Sequence, residues 1–183
     1  MGAKAETLAG VGIDAVKAKV RDVPDFPKPG ILFKDITPIL QDPACFRAVI
    51  DVFAERYEKD RPDVIVAIES RGFLLGSALA YRLGIPLALV RKPKKLPWKT
   101  IRHEYTLEYG TDALEAHVDA VAKGQRVLII DDLLATGGTA GATAELVKKL
   151  GGIVQECAFV IELGFLDGRK KLAPVKSFSL IQY

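Results

Sequence analysis

A run of branched aliphatic residues, Val127-Leu128-Ile129-Ile130, passes directly into two carboxylates, Asp131-Asp132, and then through Leu133-Leu134 into Ala135-Thr136-Gly137-Gly138-Thr139-Ala140. Four consecutive apolar residues suit a strand covered on both faces, as inside a parallel sheet, rather than a half-solvated antiparallel strand. The stretch therefore commits the chain to an α/β architecture. Ligands of open α/β sheets sit in the crevice beyond the carboxyl ends of the strands, which is where Asp131 and Asp132 are expected. The residues that follow carry no bulky side chain, so their N–H groups can wrap an anion. A helix starting near Thr139 adds the positive end of its dipole.

Adjacent carboxylate acceptors followed by an anion cradle match a ribose phosphate, which offers two neighbouring hydroxyl donors and a phosphate on C5. A Walker-type loop needs Lys after its glycines, and Thr139-Ala140 stands there instead. The competing reading is an unliganded, Thr-capped connection between strand and helix.

The other segments extend the α/β pattern. Ile13, Val16 and Val20 recur at helical spacing until Pro24, Pro27 and Pro29 impose an extended passage. Asp42-Pro43 is a helix start, and Phe46, Val49, Ile50, Phe53 and Tyr57 give that helix one buried face. Val64 to Ile68 is a second buried strand, again ending in polar residues, Glu69-Ser70-Arg71-Gly72. A helix from Leu74 to Leu83 and a strand from Pro86 to Arg91 complete a β-α-β unit. Later come a helix from Gly141 to Leu150 and strands from Val154 to Ile161 and from Phe178 to Ile181.

Between Arg91 and His103, six basic residues and no acid are interrupted by Pro93 and Pro97. This rules out a core strand or ordinary helix for the segment and leaves a solvated basic loop or a mobile lid over a polyphosphate. Tyr105, Leu107 and Tyr109 alternate beyond it as in a strand, which gives Glu108 the bland reading of a solvated strand residue. Phe33, beside the Gly30 turn, reads on its own residues as a hydrophobic plug ahead of a stacking surface.

With 183 residues, 49% hydrophobic and 27% charged, the chain fits a single domain, and a net charge of +3 is too small to argue for nucleic-acid binding. Cys45 and Cys157 make no disulfide framework, and no run approaches the roughly 18 apolar residues of a membrane span. A cytoplasmic protein without membrane or nucleic-acid partners is expected.

The strand, acid pair and ATGGT segment resembles the phosphoribosyl pyrophosphate (PRPP) motif of the type I phosphoribosyltransferases, in the version found in adenine phosphoribosyltransferases. The segments PGILFKDITP, ESRGF and RKPKKLP resemble further motifs of that family. The resemblance implies an α/β fold with a central parallel sheet flanked by helices, a small hood formed by about the first 38 residues, and a flexible loop. It implies that adenine and PRPP give AMP and pyrophosphate, with Mg²⁺ held mainly through PRPP and water and no direct metal ligand, in a homodimer. By the same resemblance, Asp131 and Asp132 hold ribose while Ala135, Thr136, Gly137, Gly138 and Thr139 hold the 5′-phosphate. Glu69, Ser70, Arg71, Arg91, Lys95 and Tyr109 serve pyrophosphate, the loop after Ile68 carrying a non-proline cis peptide. Phe33 stacks on adenine, Leu32 to Lys34 read its edge through the backbone, and Leu163 closes the opposite face. Glu108 becomes a candidate for proton transfer, beside Arg71, Lys95, Asp131 and Asp132 as catalytic groups. Pro93-Lys94 departs from the family, where Gly is usual in that pair. Other bases, and a non-catalytic PRPP-sensing regulator of DNA or RNA, are the rival readings.

Overall fold

The computed structural model describes residues 11–107 and 110–183. Two compact units emerge, one running to Arg56 and the other from Tyr57 to Tyr183.

The first unit holds a short helix α1 (Ile13–Ala18) and an antiparallel pair, β1 (Arg21–Pro24) with β2 (Leu32–Asp35), in which Val23 faces Phe33 and Asp22 faces Lys34. The prolines had suggested only an extended passage there. A turn closes the pair because Asp25 takes φ 58° and its Oδ1 accepts from Gly30 N at 2.7 Å. A helical turn, α2 (Thr37–Gln41), follows, and Asp35 accepts from both Thr37 N (2.9 Å) and Thr37 Oγ1 (2.6 Å) at its start. The helix α3 (Pro43–Glu58) begins where Asp42-Pro43 indicates, with Asp42 Oδ1 accepting from Ala44 N and Cys45 N. Val49 and Phe53 on its apolar stripe are fully buried.

The second unit is built on a seven-stranded sheet with the spatial order β5-β6-β4-β3-β7-β8-β9. Its strands are β3 (Val64–Ile68), β4 (Leu87–Arg91), β5 (Thr100–Leu107), β6 (Gly110–His117), β7 (Arg126–Leu134), β8 (Ile153–Glu162) and β9 (Ser177–Gln182). Five of them, β4-β3-β7-β8-β9, run parallel, whereas β5 and β6 form an antiparallel hairpin attached to β4. The parallel strands carry the core: every residue of β3 is buried, as are Val127 to Ile130 of β7 and Cys157 to Ile161 of β8. The helices α4 (Arg71–Leu83) and α5 (Gly138–Leu150) pack on the sheet, and α6 (Gly168–Leu172) packs against α5.

The structure departs from the sequence reading in three places. The basic segment is not a loop throughout: Thr100 to His103 belong to β5 and pair with residues 114 to 117 of β6. Its partner, GTDALEAH, has the composition of a poor strand and went unforeseen; eight rungs to β5 and two to β4 impose the conformation. Finally, β7 does not stop at Ile130 but runs on through both acids to Leu134.

Candidate active site

The extension of β7 is what creates the crevice. β3 pairs with β7 only from Val64–Val127 to Ala67–Ile130, whereas β8 stays with β7 as far as Leu134–Glu162. Beyond Ile130, β7 thus loses its neighbour on one side, and Asp131 and Asp132 sit beside the gap where the chain turns from β3 into α4. Gly72 lets that helix approach: a Cβ there would lie 2.7 Å from Ile130 O and 3.0 Å from Asp131 Oδ1. The contact brings Arg71, the first residue of α4, onto the acid pair, and its Nε donates to Asp132 Oδ2.

The two carboxylates differ. Asp132 is 3% exposed and neutralised by Arg71. Asp131 accepts from Asp132 N at 2.9 Å; burial, followed by the negative charge of Asp132, pushes its carboxyl well above the usual carboxylate range.

The anion cradle follows. Gly137 is the N-cap of α5 with φ 78°, so the helix starts at Gly138, one residue before the expected Thr139. Gly138, Thr139 and Ala140 fall in the first turn, whose N–H groups the helix itself does not bond. With Asp131 and Leu133 to Thr136, Gly137 to Ala140 line a cavity of about 80 Å³. A roomier one of about 590 Å³ lies among β5, α5 and α6, touches the cradle only at Gly137 and Gly138, and contains none of the expected catalytic groups. The cradle is therefore the better site, because groups matching a ligand's chemistry converge there.

On the other side of the crevice, the peptide bond between Glu69 and Ser70 is cis, as the resemblance implies. Glu69 ties this loop to β4, accepting from Arg91 Nη2 at 2.7 Å and Lys92 N at 2.9 Å. The Arg91 guanidinium, helped by that N–H, holds the Glu69 carboxyl below its ordinary value. Arg91 also donates to Lys95 O at 2.9 Å, while the Lys95 side chain is exposed. Lys94 N donates to Glu115 Oε2, and Lys94 takes φ 65°, the left-handed region that Gly favours, where this chain departs from the family's pattern. The hairpin reaches the cradle as well: Tyr105 Oη lies 3.4 Å from both Thr139 Oγ1 and Asp112 Oδ2. Glu108 and Tyr109 lie outside the described residues.

Arg71, Asp131, Asp132, the cradle and the Glu69–Arg91 pair are thus brought to one crevice of the second unit. Leu163 ends up directly after β8, its N–H donating to Leu134 O at 2.9 Å and its side chain buried. Leu32, Phe33 and Lys34 lie on β2 in the first unit. There Phe33 packs edge-on against Phe26, with ring centroids 5.2 Å apart, and Lys34 Nζ donates to Asp22 Oδ1 at 2.6 Å. Sequence reasoning missed Phe26, although an aromatic before Pro27 was a visible signal. It also missed the contact role of Gly72, which nothing short of the packed helix reveals.

Comparison with known proteins identifies the family. Residues 35–180 match the family described as phosphoribosyl transferase domain. The adenine phosphoribosyltransferase of Anaeromyxobacter dehalogenans strain 2CP-1 is 55% identical over 171 residues, covering 93% of this chain and 99% of the relative. The crystal structure of adenine phosphoribosyltransferase from Thermoanaerobacter pseudethanolicus superposes with a TM-score of 0.91 at 56% identity, over 93% of this chain and 99% of that one. The Saccharomyces cerevisiae enzyme, solved with an imino-altritol bisphosphate and adenine, gives a TM-score of 0.87 at 42% identity, over 92% and 97%.

Proposed function

The chain belongs to the phosphoribosyltransferase family, and from that premise we infer how its crevice works. It is an enzyme of purine salvage that transfers the phosphoribosyl group of PRPP to adenine, giving AMP and pyrophosphate. The observation that carries the reading is the convergence of an acid pair, a first-turn anion cradle and Arg71 in one crevice.

Asp131 and Asp132 hold the ribose hydroxyls, and residues 135–139 take the 5′-phosphate. As the bond from C1 to pyrophosphate lengthens, the sugar gains positive charge and the leaving group negative charge. The carboxylates stabilise the first, while Arg71, Arg91 and Lys95 stabilise the second. Arg71 must then exchange Asp132 for pyrophosphate as PRPP binds. Ser70 and the Glu69–Arg91 pair shape that subsite. Glu108 serves proton transfer at the base, with Tyr109 beside it.

Among the described residues no cluster of three or more His, Cys, Asp or Glu side chains could hold a metal by itself. Mg²⁺ commonly keeps several of its waters and binds alongside substrate phosphates, so here it would be held mainly through PRPP and water, with no direct protein ligand. Bound with PRPP, Mg²⁺ supplies neutralising charge to the pyrophosphate. The first 38 or so residues act as a hood carrying the base-recognition segment, within a single 183-residue catalytic domain. Among the described residues no helix is long and apolar enough to cross a membrane, and Cys45 and Cys157 are free and buried, which suits a cytoplasmic enzyme.

The base is the first test. Adenine presents an amine donor beside a bare N1 acceptor, whereas hypoxanthine presents a carbonyl beside N1–H. Backbone groups of Leu32 to Lys34 matched to adenine would leave two mismatches against hypoxanthine, at roughly 1–3 kcal/mol each. Adenine is therefore expected to exceed hypoxanthine in kcat/KM by about a hundredfold or more. Phe33 and Leu163 grip any purine face, so Phe33→Ala should weaken adenine use while leaving that ratio nearly unchanged. Comparable kcat/KM for the two bases in the unmodified enzyme would leave a phosphoribosyltransferase of another base.

The enzyme works as a homodimer. Leu74 and Tyr81 stand exposed seven residues apart on α4, the helix whose first residue is Arg71, and offer a second copy an apolar stripe. Lys95 of each copy serves the other's crevice. Mixing Lys95→Ala subunits with Asp131→Ala subunits should restore one working site per heterodimer. Absence of recovery after verified subunit exchange would return Lys95 to its own subunit's crevice.

A further inference from the structure

At Gly137 the phosphate cradle rests on another piece of main chain. A Cβ on Gly137 would lie 2.6 Å from Gly168 O, and a Cβ on Gly168 would collide with Ala135 O. The first residue of α6 is therefore the backing plate of the loop that carries Ala135 to Thr139.

That plate cannot hold its own position. With five residues, α6 is far below the length at which a helix persists unaided. Two anchors fix it. Leu172 is buried in the core, 3% exposed. At the other end, Arg169 Nε and Nη2 donate to Glu162 Oε1 and Oε2 at 2.7 and 2.6 Å, and Nη1 donates to Ser177 O at 2.9 Å. This planar, two-pronged contact is one that a lysine cannot reproduce. Glu162 is itself 5% exposed and pairs across the sheet with Leu134, the residue preceding the cradle.

We propose that Arg169 is a positioning residue for 5′-phosphate binding: by clamping α6 onto Glu162 it holds Gly168 against Ala135 and Gly137, and so keeps the cradle formed before substrate arrives. Arg169 does not touch the phosphate. Its effect passes through the contacts of Gly168 with the loop main chain and with the Leu134 side chain, and the pair serves as a rigid stop beside a loop that must present N–H groups in one geometry. The inference rests on the assignment of residues 135–139 to the 5′-phosphate.

Two probes separate the possibilities. Ribose 5-phosphate loads the cradle, whereas pyrophosphate loads the Arg71 side of the crevice and leaves the cradle empty. Both are titrated calorimetrically into the unmodified enzyme, Arg169→Met, and the double variant Glu162→Gln/Arg169→Met, which removes the unpaired carboxylate that the single change leaves behind. Arg169→Met is expected to weaken ribose 5-phosphate about tenfold and raise KM for PRPP to match, with kcat and pyrophosphate affinity changing less than twofold. The double variant should regain thermal stability without regaining ribose 5-phosphate affinity. Equal loss of both probes, or recovery of ribose 5-phosphate binding in the double variant, would overturn the positioning role. Failure of the unmodified enzyme to bind ribose 5-phosphate would instead remove the phosphate assignment.

Discussion

Asp131→Asn and Asp132→Asn each lower kcat at saturating PRPP by about a hundredfold to a thousandfold, the scale on which removal of one preorganised electrostatic group is felt. An amide still hydrogen-bonds a ribose hydroxyl, so KM for PRPP moves much less than kcat. The two variants part company in stability. The folded protein holds the proton of Asp131 more tightly than the unfolded chain does, because burial and Asp132 raise its pKa. Such a group is neutral in both states below the unfolded value, near 4, and costs stability progressively as pH rises from there through the folded value. Asp131→Asn removes the cost, so its melting temperature should exceed the parent's at pH 7 and converge with it towards pH 4. Asp132→Asn has the opposite sign at pH 7, since it strips Arg71 of its carboxylate. Steady-state kinetics and melting curves across that pH range check both; kcat unchanged in both variants would sink the electrostatic role.

Gly137→Val is expected to be the most damaging single change outside the acid pair. Its φ of 78° costs a β-branched residue about 1–2 kcal/mol, and the approach to Gly168 O adds an overpacking cost of about 1–3 kcal/mol. Together these lower the melting temperature by roughly 10 °C in a chain of this size. Because the damaged turn is the cradle itself, PRPP affinity should fall by more than stability alone explains. Gly124 is the control: its φ is 83° and no atom lies within 4 Å of a Cβ placed there. Gly124→Val therefore bears the backbone strain without the collision. If Gly137→Val melts no lower than Gly124→Val, the main-chain contact with α6 has no energetic weight.

Strand β7, its two acids and the cradle were legible in the sequence because each follows from local chemistry. An unbroken apolar run demands burial on both faces, two carboxylates at its end need partners that an apolar core does not supply, and Gly-Gly-Thr permits a turn that offers N–H groups. The helices α3, α4 and α5 and the strands β3, β4, β8 and β9 were legible for the same reason, their periods being written in consecutive residues. Family likeness, which compresses many tertiary outcomes into short motifs, supplied the adenine reading that residue types alone left open at Phe33.

Tertiary structure decided what depends on a partner distant in sequence. GTDALEAH is a strand only because β4 and β5 flank it, and β1 and β2 exist only as a pair. The crevice itself arises from unequal strand lengths: β3 stops pairing at Ile130 while β8 continues to Leu134. No local pattern announces where a neighbour will end. Nor could any pattern show that Arg71 latches onto Asp132 across 61 residues of chain, or that two glycines 31 positions apart meet backbone to backbone behind the turn after β7. Sequence fixes the chemistry each segment can offer; packing fixes which of those segments face one another.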